Sequence, residues 1–256
     1  MKFNKVVKSL ALTAGLVASF TSSAEFLDFT VDESAYGNGE ITGDKFNGSY
    51  FETLEFDGMG GFATGAFATF TSIVADEGTN PQGASVLGFN NVNFPGTGYN
   101  LYAVLTASGT ANALETEFTA TTAQFSLWID PSFDTVSDNL LNGTVTDASA
   151  DDILIGSAST VQNAYGEYEN GTGNFNFDFT DFVLTADGMN YFVDPAPFYS
   201  IVTVNGDFDT LGNLPDVSGD LSAVFTNPVN VPEPSTVAVL ALGLCGLGFT
   251  ARRKNK

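Results

Sequence analysis

The stretch Phe175-Asn-Phe-Asp-Phe-Thr180 places an aromatic ring at every second position, with Asn176, Asp178 and Thr180 between and after them. Alternation with period two describes a strand with one buried and one wetted face. Leu101-Tyr-Ala-Val-Leu-Thr106, Phe118 to Ile129 and Tyr199-Ser-Ile-Val-Thr-Val204 are likewise rich in β-branched and aromatic residues, which fit a pleated, half-buried surface. Between such runs stand Asn47-Gly48, Asp57-Gly58, Asn142-Gly143, Asn170-Gly171, Asp187-Gly188 and Asn205-Gly206. These pairs suit the positive φ angles of tight hairpins. No stretch of the body holds a 3.6-residue apolar period for three turns without Gly or Pro, and no fixed-period repeat is visible. The expected fold class is therefore all-β, an antiparallel sandwich or jelly-roll-like body. A last strand is expected around Leu221 to Phe225, followed by a tether containing Pro228 and Pro232.

Outward from these strands, the body holds 21 of the 24 Phe, all eight Tyr and Trp128. Burying such side chains is worth about 1.5–3 kcal/mol each, so a core is available without disulfides. None can form within the chain, because Cys245 is the only cysteine. In an apolar segment that lone thiol is a small hydrophobe. Charge is strongly one-sided: residues 25–231 contain 29 of the 30 carboxylates and one basic residue, Lys45, giving 29 − 1, or about −28. At physiological ionic strength screening acts over about 8 Å, so folding survives this repulsion. The field opposes polyanions, and nucleic acid is excluded as a partner.

The other seven basic residues sit at the two ends beside apolar runs. Lys2, Lys5 and Lys8 precede Leu10 to Phe20, and Ser22-Ser23-Ala24 follows. Eleven residues at about 1.5 Å each cannot cross a hydrocarbon core of about 30 Å, so residues 1–24 read as a cleaved signal peptide. Signal peptidase is expected to cut between Ala24 and Glu25. At the far end, Pro232-Glu233-Pro234 precedes the uncharged segment 235–251, which ends in Arg252-Arg-Lys-Asn-Lys256. Its 17 residues stand near the lower limit for a transmembrane helix. Arg252, Arg253 and Lys254 are expected to stop transfer and hold residues 252–256 in the cytoplasm. The resulting organisation is a signal peptide (1–24), an acidic β-rich exported domain (25–226), a Pro-rich linker (227–234), a helix (235–251) and a basic tail (252–256).

In that order, the Pro-Glu-Pro tripeptide, short apolar helix and Arg-Arg-Lys terminus resemble the PEP-CTERM sorting signal of Gram-negative bacteria. The resemblance implies recognition of Pro232, Glu233 and Pro234 by an exosortase in the inner membrane. It also implies removal of the tail and passage of the body to the cell surface or extracellular matrix. Phe29-Thr-Val-Asp-Glu33, Asp44 to Glu52, Leu184 to Gly188 and Asp194-Pro-Ala-Pro-Phe-Tyr199 are similar to segments of flocculation-associated PEP-CTERM proteins. That similarity implies a role in holding cells together with exopolysaccharide or other matrix components, and it supplies no catalytic residue.

The body's own chemistry is narrow. Without His anywhere, Ser-His-Asp and Cys-His arrangements are impossible, as are His-bound metals. Lys45 beside Asp44 reads as a surface ion pair. Two kinds of carboxylate chemistry remain. Glu115 and Glu117, two apart on an expected strand, stand as a distant glycosidase pair. Asp130, Asp134 and Asp138, or alternatively Asp147, Asp151 and Asp152, are weak candidates for calcium, a hard cation that takes 6–8 oxygens from loops. No cofactor is otherwise expected, and no catalytic residue is assigned. Asn47, Asn142 and Asn170 each begin an Asn-x-Ser/Thr triplet, which here carries no functional weight. The leading expectation is a non-enzymatic surface or matrix protein, with a secreted, lectin-like carbohydrate-binding module as the alternative.

Overall fold

Alternation in β3 (Lys45–Phe56) sends Phe46, Tyr50, Glu52 and Leu54 to one face and Ser49, Phe51 and Glu55 to the other. The same division runs through β4 (Gly61–Ala75), β6 (Asn100–Ala111) and β7 (Glu117–Asp130). In β7, Phe118, Phe125, Leu127 and Ile129 are buried while Thr119, Thr121, Thr122 and Gln124 face water. A computed structural model describes residues 26–90, 96–169, 172–209 and 215–228. The signal peptide, Ala24 and Glu25, the Pro-Glu-Pro tripeptide, the segment 235–251, and Arg252, Arg253 and Lys254 all lie outside the described residues. Among the described residues no helix is long and apolar enough to cross a membrane.

The four strands pair antiparallel in sequence order, and the two-residue β5 (Asn80–Pro81) pairs with the end of β4. β11 (Val161–Glu169), β12 (Thr172–Phe179), β15 (Ile201–Asp207) and β16 (Asp216–Thr226) continue the meander, and β16 returns to pair with β3. Tyr165, Gly166 and Glu167 of β11 pair with Thr119, Phe118 and Glu117 of β7, which closes the ring. The antiparallel all-β body is thus present, and its two layers are opposite walls of one eight-stranded, barrel-like sheet. Eight strands leave an interior just wide enough for side chains to fill. Rings supply that filling, including Phe46, Phe70, Phe125, Phe177, Phe179 and Phe225. Apolar residues inside and polar residues outside are the reverse of a barrel immersed in lipid.

One seam in the wall is held by a single side chain. β10 (Ile153–Ala158) and β11 lie end to end along the same edge of β7. β13 (Val183–Leu184) continues the line of β12 beside them. At the break the Asp181 carboxylate accepts from both backbone N–H groups and both hydroxyls of Ser159 and Thr160. Those four donors outweigh desolvation and hold the Asp181 pKa below the usual carboxylate range.

Two insertions decorate the ring. β8 (Thr135–Asn139) and β9 (Thr144–Asp147) form a hairpin laid on the outer face of β4 and β6. Leu140 and Val145 cover a second small core of Phe67, Tyr102, Val104 and Trp128. The fit is close, since a side-chain carbon at Gly65 would stand 1.7 Å from the Leu140 carbonyl. At one end, β1 (Phe29–Asp32), β2 (Glu40–Gly43) and β14 (Phe192–Asp194) make a three-stranded cap. Phe29 packs against Phe46, Phe192 and Phe225, and α1 (Ala186–Tyr191) adds Tyr191.

Three expected turns belong to other structures. Asn47-Gly48 lies inside β3 at a bulge, where a side-chain carbon on Gly48 would meet the Thr69 carbonyl at 2.0 Å. Asn205-Gly206 lies inside β15, and Asp187-Gly188 inside α1. In each, glycine serves close approach of backbone rather than a hairpin. Asp57-Gly58 and Asn142-Gly143 are turns with positive φ at the glycine, whereas Asn170-Gly171 lies outside the described residues.

Candidate functional site

Asp130 ends β7, and the next four residues turn tightly around it. Its carboxylate accepts from the backbone N–H groups of Ser132 (3.0 Å), Phe133 (2.6 Å) and Thr135 (3.2 Å). Asp147 ends β9 and orders the following loop in the same way, through Ser149, Ala150 and Asp152. These backbone donors hold the Asp147 pKa below the usual range. The two ordered loops face each other. Ser149 donates to Asp134, Ser132 donates to Asp151 at 2.7 Å, and Tyr102 and Thr135 donate to Asp152 at 2.6 and 2.7 Å.

Five carboxylates meet as a result. Oxygens of Asp130, Asp134 and Asp151 lie within 4.8 Å of one another, as do those of Asp147, Asp151 and Asp152. One oxygen each of Asp134, Asp151 and Asp152 is sheltered from solvent without a hydrogen-bond partner. Burial pushes the Asp152 pKa up, and the Asp147 and Asp130 charges add to it. Unpartnered, mutually repelling oxygens from two loops form the donor set a calcium ion takes. The two expected triads share Asp151. Asp138 stands apart: it lies in β8 and accepts from Thr146 across the β8–β9 pair. Its spacing in sequence was compatible with the cluster, but β8 carries it away.

Calcium at 100 times its dissociation constant is expected to stabilise the barrel by about 2.7 kcal/mol. That amounts to a melting temperature higher by roughly 5–10 °C. Asp151→Asn, which touches both triads, is expected to abolish the rise. An unchanged melting temperature in millimolar calcium would discard the site.

The other expected carboxylate pair is taken apart by the fold. Glu115 sits in the β6–β7 turn with φ at 56°, while Glu117 opens β7 opposite Glu167. Both are exposed, and they do not share a strand face. Lys45 also departs from expectation. Asp44 is buried and accepts from the Gly78 backbone N–H at 3.1 Å, whereas the Lys45 ammonium lies 5.9 Å from the Phe26 ring centre.

A second feature was not anticipated. On the outer face of the wall opposite the β8–β9 hairpin, Tyr165, Asn176, Asn205, Ser222 and Asn47 are direct cross-strand neighbours in that order. Five strands at about 4.8 Å spacing make this row about 19 Å long. It runs through an open cleft of about 840 Å³, whose next row carries Asn174, Asp207, Asp220 and Ser49. Ser222 donates to Asn205 at 2.7 Å, whereas Asn47 and Asn176 have no side-chain partner among the described residues. A signal existed in the opening stretch, where the positions alternating with Phe are Asn and Asp.

Residues 230–254 match the family described as the PEP-CTERM protein-sorting motif. No curated protein and no solved structure matches the chain. The chain thus carries an exosortase sorting signal, which marks it for export and for anchoring in the membrane before processing.

Proposed function

We propose that this exported, exosortase-targeted chain ends as a non-enzymatic protein of the Gram-negative cell surface or extracellular matrix, where it contributes to flocculation or biofilm cohesion with exopolysaccharide. The observation that carries the reading is a sorting motif at residues 230–254 placed behind an acidic β-barrel. A cargo with about −28 of charge in residues 25–231 stays soluble and repels other polyanions, so its partners are neutral or act through divalent cations. Signal peptidase and exosortase are the processing partners in this scheme. The strings similar to flocculation-associated proteins support it. Phe29, Val31, Phe46, Tyr50 and Tyr199 build the cap and the adjoining core, so those strings hold the fold rather than a catalytic centre.

Changing Pro232, Glu233 and Pro234 together to alanine is expected to leave full-length chain in the inner-membrane fraction. The unchanged chain is expected in the matrix, shortened at both ends by mass spectrometry. Equal release of the triple variant would remove the sorting half of the reading. Deleting the gene should disperse flocs, and undiminished flocculation would remove the cohesive half. A second reading, a module that recognises one glycan, is favoured by the amide-lined cleft.

A further inference from the structure

We propose that the outer cleft between β11 and β3 is a binding site for an uncharged, hydroxyl-rich polysaccharide segment, laid across the strands along Tyr165, Asn176, Asn205, Ser222 and Asn47. The inference rests on the matrix role proposed above and gives it a ligand class and an address. A side-chain amide both donates and accepts, so a row of amides matches hydroxyl groups, which do the same. Asn47 and Asn176 are half-buried and have no protein partner among the described residues, which leaves their hydrogen-bonding groups open to the cleft. Ser222 and Asn205 hold each other, fixing the middle of the row before any ligand arrives. Preorganised groups lose less entropy on binding.

Tyr165 stands at one end with 45% of its surface exposed. An exposed aromatic face beside polar groups provides an apolar stacking surface for a sugar ring. The charge selects among glycans. Glu167, Asp207 and Asp220 are exposed along the second row, Lys45 is the only base between residues 25 and 231, and its ammonium is turned toward Phe26. Carboxylates accept from neutral sugar hydroxyls and repel uronic acids or sulfated sugars.

The test is affinity gel electrophoresis of residues 26–228, which contain the hydrogen-bonded ring and its core. Matrix polysaccharide from the producing cells, split by anion exchange into neutral and acidic fractions, is cast in the gel with a calcium chelator. The neutral fraction is expected to retard the protein, and the acidic fraction is not. Tyr165→Ala and Asn176→Ala are each expected to weaken retardation roughly tenfold, with exposed Ser108→Ala on β6, across the ring from β15, unchanged. Retardation by neither fraction, by the acidic one alone, or equally for wild type and both cleft variants overturns the proposal. Such a failure with wild-type protein still recovered in the matrix removes the cleft and spares the matrix role. Absence of the protein from the matrix fails the role instead.

Discussion

Glu33→Ala is expected to lower the melting temperature by about 10 °C. Glu33 is fully buried, and its carboxylate accepts from four groups. Asn38 Nδ2 (2.7 Å) and the Val86 N–H (3.0 Å) meet one oxygen; Ser85 Oγ (2.5 Å) and the Tyr99 hydroxyl (3.0 Å) meet the other. Tyr99 in turn bonds Tyr191 of α1, so one side chain fastens the β1–β2 connection, the loop at 84–87, the start of β6 and the helix. Bonds to charged acceptors contribute about 1.5–3 kcal/mol each, and buried donors left without a partner cost about 1–3 kcal/mol. Network losses are not additive, so roughly 3–5 kcal/mol is expected in total. Against a total stability of about 5–15 kcal/mol this is a large fraction. Urea unfolding followed by Trp128 fluorescence measures it, with exposed Glu40→Ala as the reference. Equal midpoints for the two variants would show that the network contributes nothing.

Glu52→Gln is expected to do the opposite, by an amount that grows as pH rises from about 4.5 to about 7. Glu52 points into the barrel beside Ala66, Ala68 and Ala103, where burial pushes its pKa from 4.5 up to about 7 against the opposing effect of a Thr64 hydrogen bond. The Thr64 hydroxyl also lies 3.1 Å from the Thr53 carbonyl. A protonated Glu52 supplies a hydrogen to Thr64 and leaves the Thr64 proton for that carbonyl. Because the folded pKa is raised, the folded state holds the proton more tightly than the unfolded chain. The stabilisation is complete below about pH 4.5, falls as pH rises, and is gone above about pH 7. About 2.5 units correspond to roughly 3 kcal/mol. Gln has no such titration, so the variant should match wild type near pH 4.5 and exceed it by up to that amount at pH 8. A constant difference between the two across that range would refute the assignment.

Both of these carboxylates were visible in the sequence as exceptions to its own pattern. Glu33 falls in phase with Phe29 and Val31, and Glu52 in phase with Tyr50 and Leu54, so period two already places each on a buried face. The strands themselves were legible for the same reason, because alternation is a local property. Closure was not. Whether two layers are separate sheets or one ring depends on β7 meeting β11 across 46 to 50 residues of sequence, and no local pattern encodes that pairing. The Asn-Gly pairs misled at Gly48 and Gly206 because glycine serves positive φ and close approach equally well. The acidic cluster was half legible: the loops were marked by Pro131 and by Asp151-Asp152, but the position of Asp138 depended on the β8–β9 register. The amide row needed four registers at once.

The returning ring has a consequence for life at high concentration. A flat sheet ends in strands whose unused N–H and C=O groups invite another chain to join, which is how crowded β-proteins harden into fibrils. Here the eight main strands spend those groups on one another, and open edges are left to short strands such as β2, β9 and β13. In the matrix role proposed above, molecules massed in a gel would therefore touch, slide and separate, and cohesion built on them would stay reversible.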